Sequence, residues 1–118
     1  MSIAPQHEYD LIVTIVNRGF SDKVVDASKQ AGAEGGTILI GRGTGIRENK
    51  KLLGIRIEPE KEIVLTAVPQ EITEKVLSAI ITALKLDQPG AGIALVVQLK
   101  QIAGICHLLD GAVRCNPS

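Results

Sequence analysis

Aromatic residues are almost missing from this chain: one tyrosine, one phenylalanine and no tryptophan stand among 118 residues. Single-stranded nucleic-acid surfaces rely on stacking aromatics, so no such partner is expected. Charge of one sign is missing as well. Thirteen Lys and Arg balance thirteen Asp and Glu, which leaves no net field to draw nucleic acid or an anionic membrane. No apolar run reaches the roughly 20 residues that a bilayer-spanning helix needs, so membrane insertion is not expected. Cys106 and Cys115 are the two cysteines and make no disulfide framework. Residues 1–9 carry Pro5, His7 and Glu8 without a basic segment leading into an apolar core. A signal peptide is therefore not expected, and the cytoplasm is the expected location.

What the chain does hold is aliphatic residues and glycine. Hydrophobic residues make up 45% and charged ones 22%, the balance of one globular domain with a single core. An extension over 1–8, a domain over 9–109 and a tail over 110–118 are the expected divisions. The strongest local signal is Gly41-Arg42-Gly43-Thr44-Gly45, directly after the apolar run Thr37-Ile38-Leu39-Ile40. Glycines at a strand exit let the backbone adopt positive φ and bring several N–H groups near a ligand, most often a phosphate. A second such turn, Gln88-Pro89-Gly90-Ala91-Gly92, precedes the apolar run 93–99. Together they suggest a binding cleft.

Periodicity supplies the frame. Residues 11–16 form a continuous aliphatic run expected to be a buried strand. Ser21 is placed to cap a helix that turns Val24, Val25, Ala27 and Ala31 inward and ends at Gly32. Residues 37–40 are the second strand. A charged stretch follows, Ile46-Arg47-Glu48-Asn49-Lys50-Lys51, and extended character resumes over 52–57. Residues 58–61 interrupt it as a bulge or turn before 63–68 complete the third strand. Pro69 introduces a helix with Ile72, Val76, Leu77, Ile80, Ile81 and Leu84 on its apolar stripe. Residues 93–99 are the fourth strand, and 102–109 a candidate fifth. The order β-α-β-β-α-β is the α+β, ferredoxin-like split sandwich: a four-stranded antiparallel sheet with two helices on one face. Two helices cover one face, yet the strands are apolar at both parities. Leu11, Val13 and Ile15 alternate with Ile12 and Val16, and Ile93, Leu95, Val97 and Leu99 alternate with Ala94 and Val96. A water-facing side would alternate with polar residues. The second face is expected to be an oligomer interface.

With these residues in view the chain resembles the PII signal-transduction family, most closely its short-loop, PII-like branch. The resemblance runs over about 9–109. It is carried by Ile15-Val16-Asn17-Arg18-Gly19-Phe20, Gly35-Gly36-Thr37-Ile38, Gly43-Thr44-Gly45, Glu62-Ile63-Val64-Leu65-Thr66-Ala67-Val68-Pro69 and Gly90-Ala91-Gly92. It implies a homotrimer with clefts between subunits that bind an adenine nucleotide. It also implies a mobile T-loop that engages a partner protein, a transporter or a metabolic enzyme. Carried over by position, Gly43, Thr44 and Gly45 present backbone donors near the base or ribose. Gly90, Ala91 and Gly92 offer N–H groups to phosphate, and Ile15 lines the cleft. Arg47, Lys50 and Lys51 belong to the partner-facing loop.

The departures narrow the ligand. The family's phosphate loop carries a lysine where Ile93 stands here, and its two outer-phosphate arginines fall on Gly104 and Cys106. Three phosphates without a cationic partner are costly to desolvate, so AMP, ADP or a cyclic nucleotide fits better than ATP. The T-loop is cut to 46–55 and holds no tyrosine to be modified.

Other groups have plainer readings. Cys106, His107 and Cys115 are soft-metal ligand types, but a zinc site asks for a fourth ligand that only His7 could supply, so no metal is expected. His107 is kept as a ligand contact at the cleft. Glu58, Glu60, Lys61 and Glu62 read as a solvated turn, and Asp22, Asp26 and Lys29 as an exposed helix face. No nucleophile-base pair or carboxylate pair stands in a catalytic context, so no enzyme is expected. The alternatives are a trimeric metal-binding protein resembling the CutA-type copper-tolerance fold, and a structural oligomer that has lost its ligand site.

Overall fold

The strand β1 (Tyr9–Asn17) lies inside the sheet, antiparallel to a neighbour on each side. The computed structural model describes residues 8–44, 50–52, 55–57 and 59–104, and for 50–52 and 55–57 it is the backbone that is described. After β1 come α1 (Ser21–Gln30), β2 (Thr37–Arg42), β3 (Lys50–Leu52), β4 (Ile55–Ile57), β5 (Glu60–Pro69), α2 (Gln70–Leu84) and β6 (Gly92–Gln98). The main sheet has the order β2-β5-β1-β6, with every pair antiparallel. This is the ferredoxin-like α+β sandwich that the sequence pattern predicts.

Burial alternates along the strands as the pleat requires. Ile12, Thr14 and Val16 on β1 and Val64, Thr66 and Val68 on β5 are fully or almost fully buried, and they pack beneath Val24 of α1 and Val76 and Ile80 of α2. The odd-numbered residues between them face the other way and are half-buried. Register lines these into rows: Leu11 opposite Ala67 and Val97, Val13 opposite Leu65 and Leu95, Ile15 opposite Ile63 and Ile93, with Leu39 beside Ile63. Leu39, Ile93, Leu95 and Val97 are 44–49% exposed. Such a contiguous apolar surface marks an interaction site.

Several local expectations are corrected. Residues 52–57 do not open the third strand of the main sheet; β3, which begins at Lys50 inside the charged stretch, and β4 pair as a separate two-stranded ribbon, Lys50 opposite Ile57 and Leu52 opposite Ile55. The third strand of the main sheet instead begins at Glu60, inside the stretch read as a turn. Ser21 is the first helical residue rather than the cap, Phe20 taking that place without a side-chain bond. Ile81 is exposed at the edge of α2 rather than buried with Ile80. Lys85 follows α2 as a left-handed C-cap, φ +54. Of the candidate fifth strand, 102–104 are not strand, and 105–109 lie outside the described residues.

The end of the sheet away from the glycine turns is closed by buried polar groups. Asp10 accepts from Thr73 Oγ1 at 2.8 Å and from Gln70 Nε2 at 3.1 Å, which pins the start of α2 to β1. Backbone bonds from Gln70 N–H to the Glu8 carbonyl and from Leu99 N–H to the Tyr9 carbonyl complete that end.

Candidate functional site

Both glycine turns sit at the opposite end of the sheet. There β1 and β2 finish and β5 and β6 begin, so one row crosses the sheet from Gly41 to Lys61 to Asn17, with Gly92 beside Val16. Gly43 leaves the β2 edge and Gly90–Gly92 enters the β6 edge. Three strand spacings separate the two edges, about 14 Å.

The Gly90 turn is built for close approach. Gly92 has φ +143, and a Cβ placed there would stand 2.6 Å from the Ile15 carbonyl oxygen. Any side chain would both strain the backbone and strike β1. Gly90 also has positive φ, +80. Ala91 N–H closes the turn on the Gln88 carbonyl at 3.2 Å, and Gly43 N–H donates to the Pro59 carbonyl at 3.3 Å. These two amides are engaged within the chain, and a ligand taking them would displace those bonds. Thr44 is exposed and Ala91 half-buried. Ile15 lies on the open sheet face, two residues before Asn17, opposite Ile63 and Ile93.

A set of polar side chains braces this end, most of it from the charged stretch that sequence pattern alone reads as a solvated turn. Lys61 Nζ donates to Asn17 Oδ1 at 2.6 Å, and Asn17 Nδ2 donates to the Gly90 carbonyl at 3.1 Å. Glu62 Oε1 accepts from the N–H groups of Ser21 at 2.9 Å and Gly19 at 3.0 Å. Ser21 is the first residue of α1, where a carboxylate complements the helix dipole, and Gly19 lies in the turn just before it. The Ser21 hydroxyl and N–H first, then Gly19 and the Arg18 charge, hold the Glu62 carboxyl below its ordinary range. Arg18 pairs with Glu60 at 3.0 Å on the exposed rim, a contact of small energetic weight. No short-range pattern signals these contacts, because Glu62 and Ser21 are 41 residues apart and Lys61 and Asn17 are 44.

A largely apolar recess of about 340 Å³ opens beside the Gly90 turn, lined by Leu77, Ile81, Leu86, Asp87 and Ile93. Of the other expected site residues, Lys50 and Lys51 form part of β3, while Gly45, Arg47 and His107 lie outside the described residues. Cys106, Cys115 and His7 lie outside them too. Among the described residues no group of His, Cys, Asp and Glu is arranged to hold a metal ion, and no helix is long and apolar enough to cross a membrane.

The family model described as nitrogen regulatory protein P-II matches residues 9–106. The chain belongs to the P-II family. The matched span runs from the first residue of β1 to beyond β6, so both glycine turns and their braces fall within it. Among solved structures, PII of Arabidopsis thaliana bound to citrate superposes with a TM-score of 0.67 at 17% identity, covering 96% of each chain. A Bacillus cereus protein related to NIF3 gives a TM-score of 0.63 at 22% identity. That match covers 86% of this chain and 29% of the other, so the chain corresponds to under a third of that protein. At these identities the two likenesses establish the fold. No curated protein matches the chain.

Proposed function

We propose that this chain is a P-II-type regulator that assembles as a homotrimer and takes a small anionic ligand, an adenine nucleotide, in clefts between protomers. It controls a partner protein, a transporter or metabolic enzyme, through the short loop over 46–55. The observation that carries this reading is the placement of the two glycine turns, at one end of the sheet but on its two opposite open edges.

Two different edges make a heterologous interface, in which the β2 edge of one copy meets the β6 edge of the next. Heterologous contacts that close give a ring. Each cleft of that ring then takes the Gly43 turn from one protomer and the Gly90 turn from its neighbour. The apolar face of Leu11, Val13, Ile15, Leu65, Leu95 and Val97 turns toward the ring's interior, where burying each large side chain is favourable by roughly 1.5–3 kcal/mol. The citrate-bound Arabidopsis PII supports a fold that accommodates small polyanions. Isoleucine at 93 leaves the phosphate turn without its lysine, which favours AMP, ADP or a cyclic nucleotide over ATP. Regulation rather than catalysis is the role, and the cytoplasm its place.

Calorimetric titration with AMP, ADP, ATP and cyclic AMP, alongside light scattering, tests this. Heat of binding to one or more nucleotides by a three-chain species is the expected result. Silence toward all of them with the trimer intact defeats the nucleotide assignment, and a single-chain mass defeats the intersubunit cleft.

A further inference from the structure

Both edges of the sheet leave aliphatic surface open on the helix side. On β2, Ile38 stands opposite Val64 and Ile40 opposite Glu62, whose carboxylate reaches the start of α1, so both isoleucines lie on that side. Ile38 is exposed, and Ile40, at 63%, is the most exposed large apolar side chain among the described residues. At the other edge, the recess between α2 and the start of β6 is walled by Leu77, Ile81, Leu86 and Ala94. Asp87 is the one charged residue among its described lining. An aliphatic edge strand left open in this way is a template for another chain.

Register puts the two features at one level. One row runs Ile40, Glu62, Val16, Gly92, and the next runs Ile38, Val64, Thr14, Ala94. The protruding isoleucine and the recess therefore lie on the same rows at opposite edges. Because β2 ends where β6 begins, the two edges run antiparallel when successive copies meet. Charge follows the same order. Arg42 is the exposed last residue of β2, on the side of Ile40 and about 7 Å further along. Glu60, its partner across the sheet, already pairs with Arg18.

We propose that a second copy of this chain fills the recess. Ile40 of one protomer seats among Leu77, Ile81 and Leu86 of the next, and Arg42 of the same strand pairs with Asp87. The inference rests on the proposed ring and names the side chains that join its edges. Arg42 adjoins Gly43, and Asp87 leads into the Gly90 turn, so this contact sets the two turns of one cleft against each other. It lies on the helix side of the sheet and is separate from the apolar face that turns toward the ring's interior. Shape and charge both favour β2 against β6, which makes the contact heterologous.

Sedimentation and light scattering of the full chain over a dilution series test the contact. The variants are Ile40→Asp, Arg42→Asp, Asp87→Arg and the double exchange of Arg42→Asp with Asp87→Arg. Ile40→Asp carries a charge into the recess and should raise the dissociation constant of the assembly by about a hundredfold. Each single charge variant sets like charges together and should raise it by about tenfold. The double exchange restores the attraction and should return to within about threefold of wild type. Circular dichroism at the wild-type level shows that each variant is folded, and Ile40→Ser replaces Ile40→Asp if that variant unfolds. Charge variants that add rather than cancel overturn the proposal, even where the Ile40 variant dissociates the assembly. An assembled wild type with Ile40 and charge variants all unchanged also overturns it and leaves the ring standing on other contacts. A wild type of single-chain mass at every concentration defeats the ring, and this contact with it.

Discussion

One sheet presents two apolar faces, and they are made differently. On the helix side Ile12, Val64, Val76 and Ile80 are wholly enclosed within the chain. On the other side Leu39, Ile93, Leu95 and Val97 are as aliphatic yet remain nearly half exposed. Composition does not separate the two faces; connectivity does. The crossovers through α1 and α2 carry both helices to the same side, so the second face finds no partner among the described residues. The same hydrophobicity thus serves folding on one side and, in the proposed ring, association on the other.

Substitution on each face breaks the comparison most sharply. Leu95→Asp puts a charge in the middle of the open face, where an interface would leave it unpaired. The expected outcome is a fall from assembly mass to single-chain mass by light scattering, with the helical and strand circular dichroism retained. Ile80→Ala on the enclosed side should do the reverse: the assembly mass holds, and the denaturation midpoint falls by the equivalent of about 2–5 kcal/mol. An unchanged mass for Leu95→Asp would mean that the open face is not what joins copies.

The two glycine turns differ in the same way, one closed by packing and the other open. Gly92→Ala forces an alanine to φ +143 against the Ile15 carbonyl, 2.6 Å from the new Cβ. A loss of about 1–3 kcal/mol is expected from the strained backbone, read as a lowered thermal midpoint. Gly43→Ala meets nothing nearer than Lys61 Cγ at 3.9 Å. Its stability should stay within about 0.5 kcal/mol of wild type. Ligand binding is therefore better tested at Gly43, because a variant at Gly92 loses stability whatever the turn binds.

Much of this frame was legible from local pattern. The continuous aliphatic run of residues 11–16, apolar at both parities, marks both faces of β1, and the stripe Ile72, Val76, Ile80 and Leu84 marks α2, because each signal lies within one element. The resemblance to the PII family rests on short motifs kept in order, and the family match over 9–106 agrees with it. The braces of the site were not legible. Glu62 looks like one more charge in a charged run until the antiparallel register brings β5 beside the start of α1. Lys61 and Asn17 meet because they are cross-strand partners, a fact of register rather than of sequence spacing. Ile81 falls on the apolar stripe of α2 but lines the open recess that it shares with the start of β6, and so stays exposed. Local pattern alone merges the ribbon of β3 and β4 with the third strand, because both are extended and periodicity cannot say which strand pairs with which.

The smallest effect concerns how this end of the sheet responds to acid. Glu62 is held below the ordinary glutamate range by the Ser21 hydroxyl and N–H, by Gly19 and by Arg18. A carboxyl with a lowered value in the folded state binds its proton more readily when unfolded, so its contribution to stability is complete above the unfolded value. It is then lost as pH falls through the folded one. Glu62→Gln removes the charge but keeps the shape. At neutral pH the wild type should therefore have the higher urea midpoint. The gap should narrow as the pH is lowered through and below the ordinary glutamate range, and close once Glu62 is protonated in both states. A gap that stays constant with pH would show that Glu62 holds α1 by shape and hydrogen bonding alone. A gap that widens toward acid would mean its charge opposes the fold, contrary to its place at the helix N-terminus.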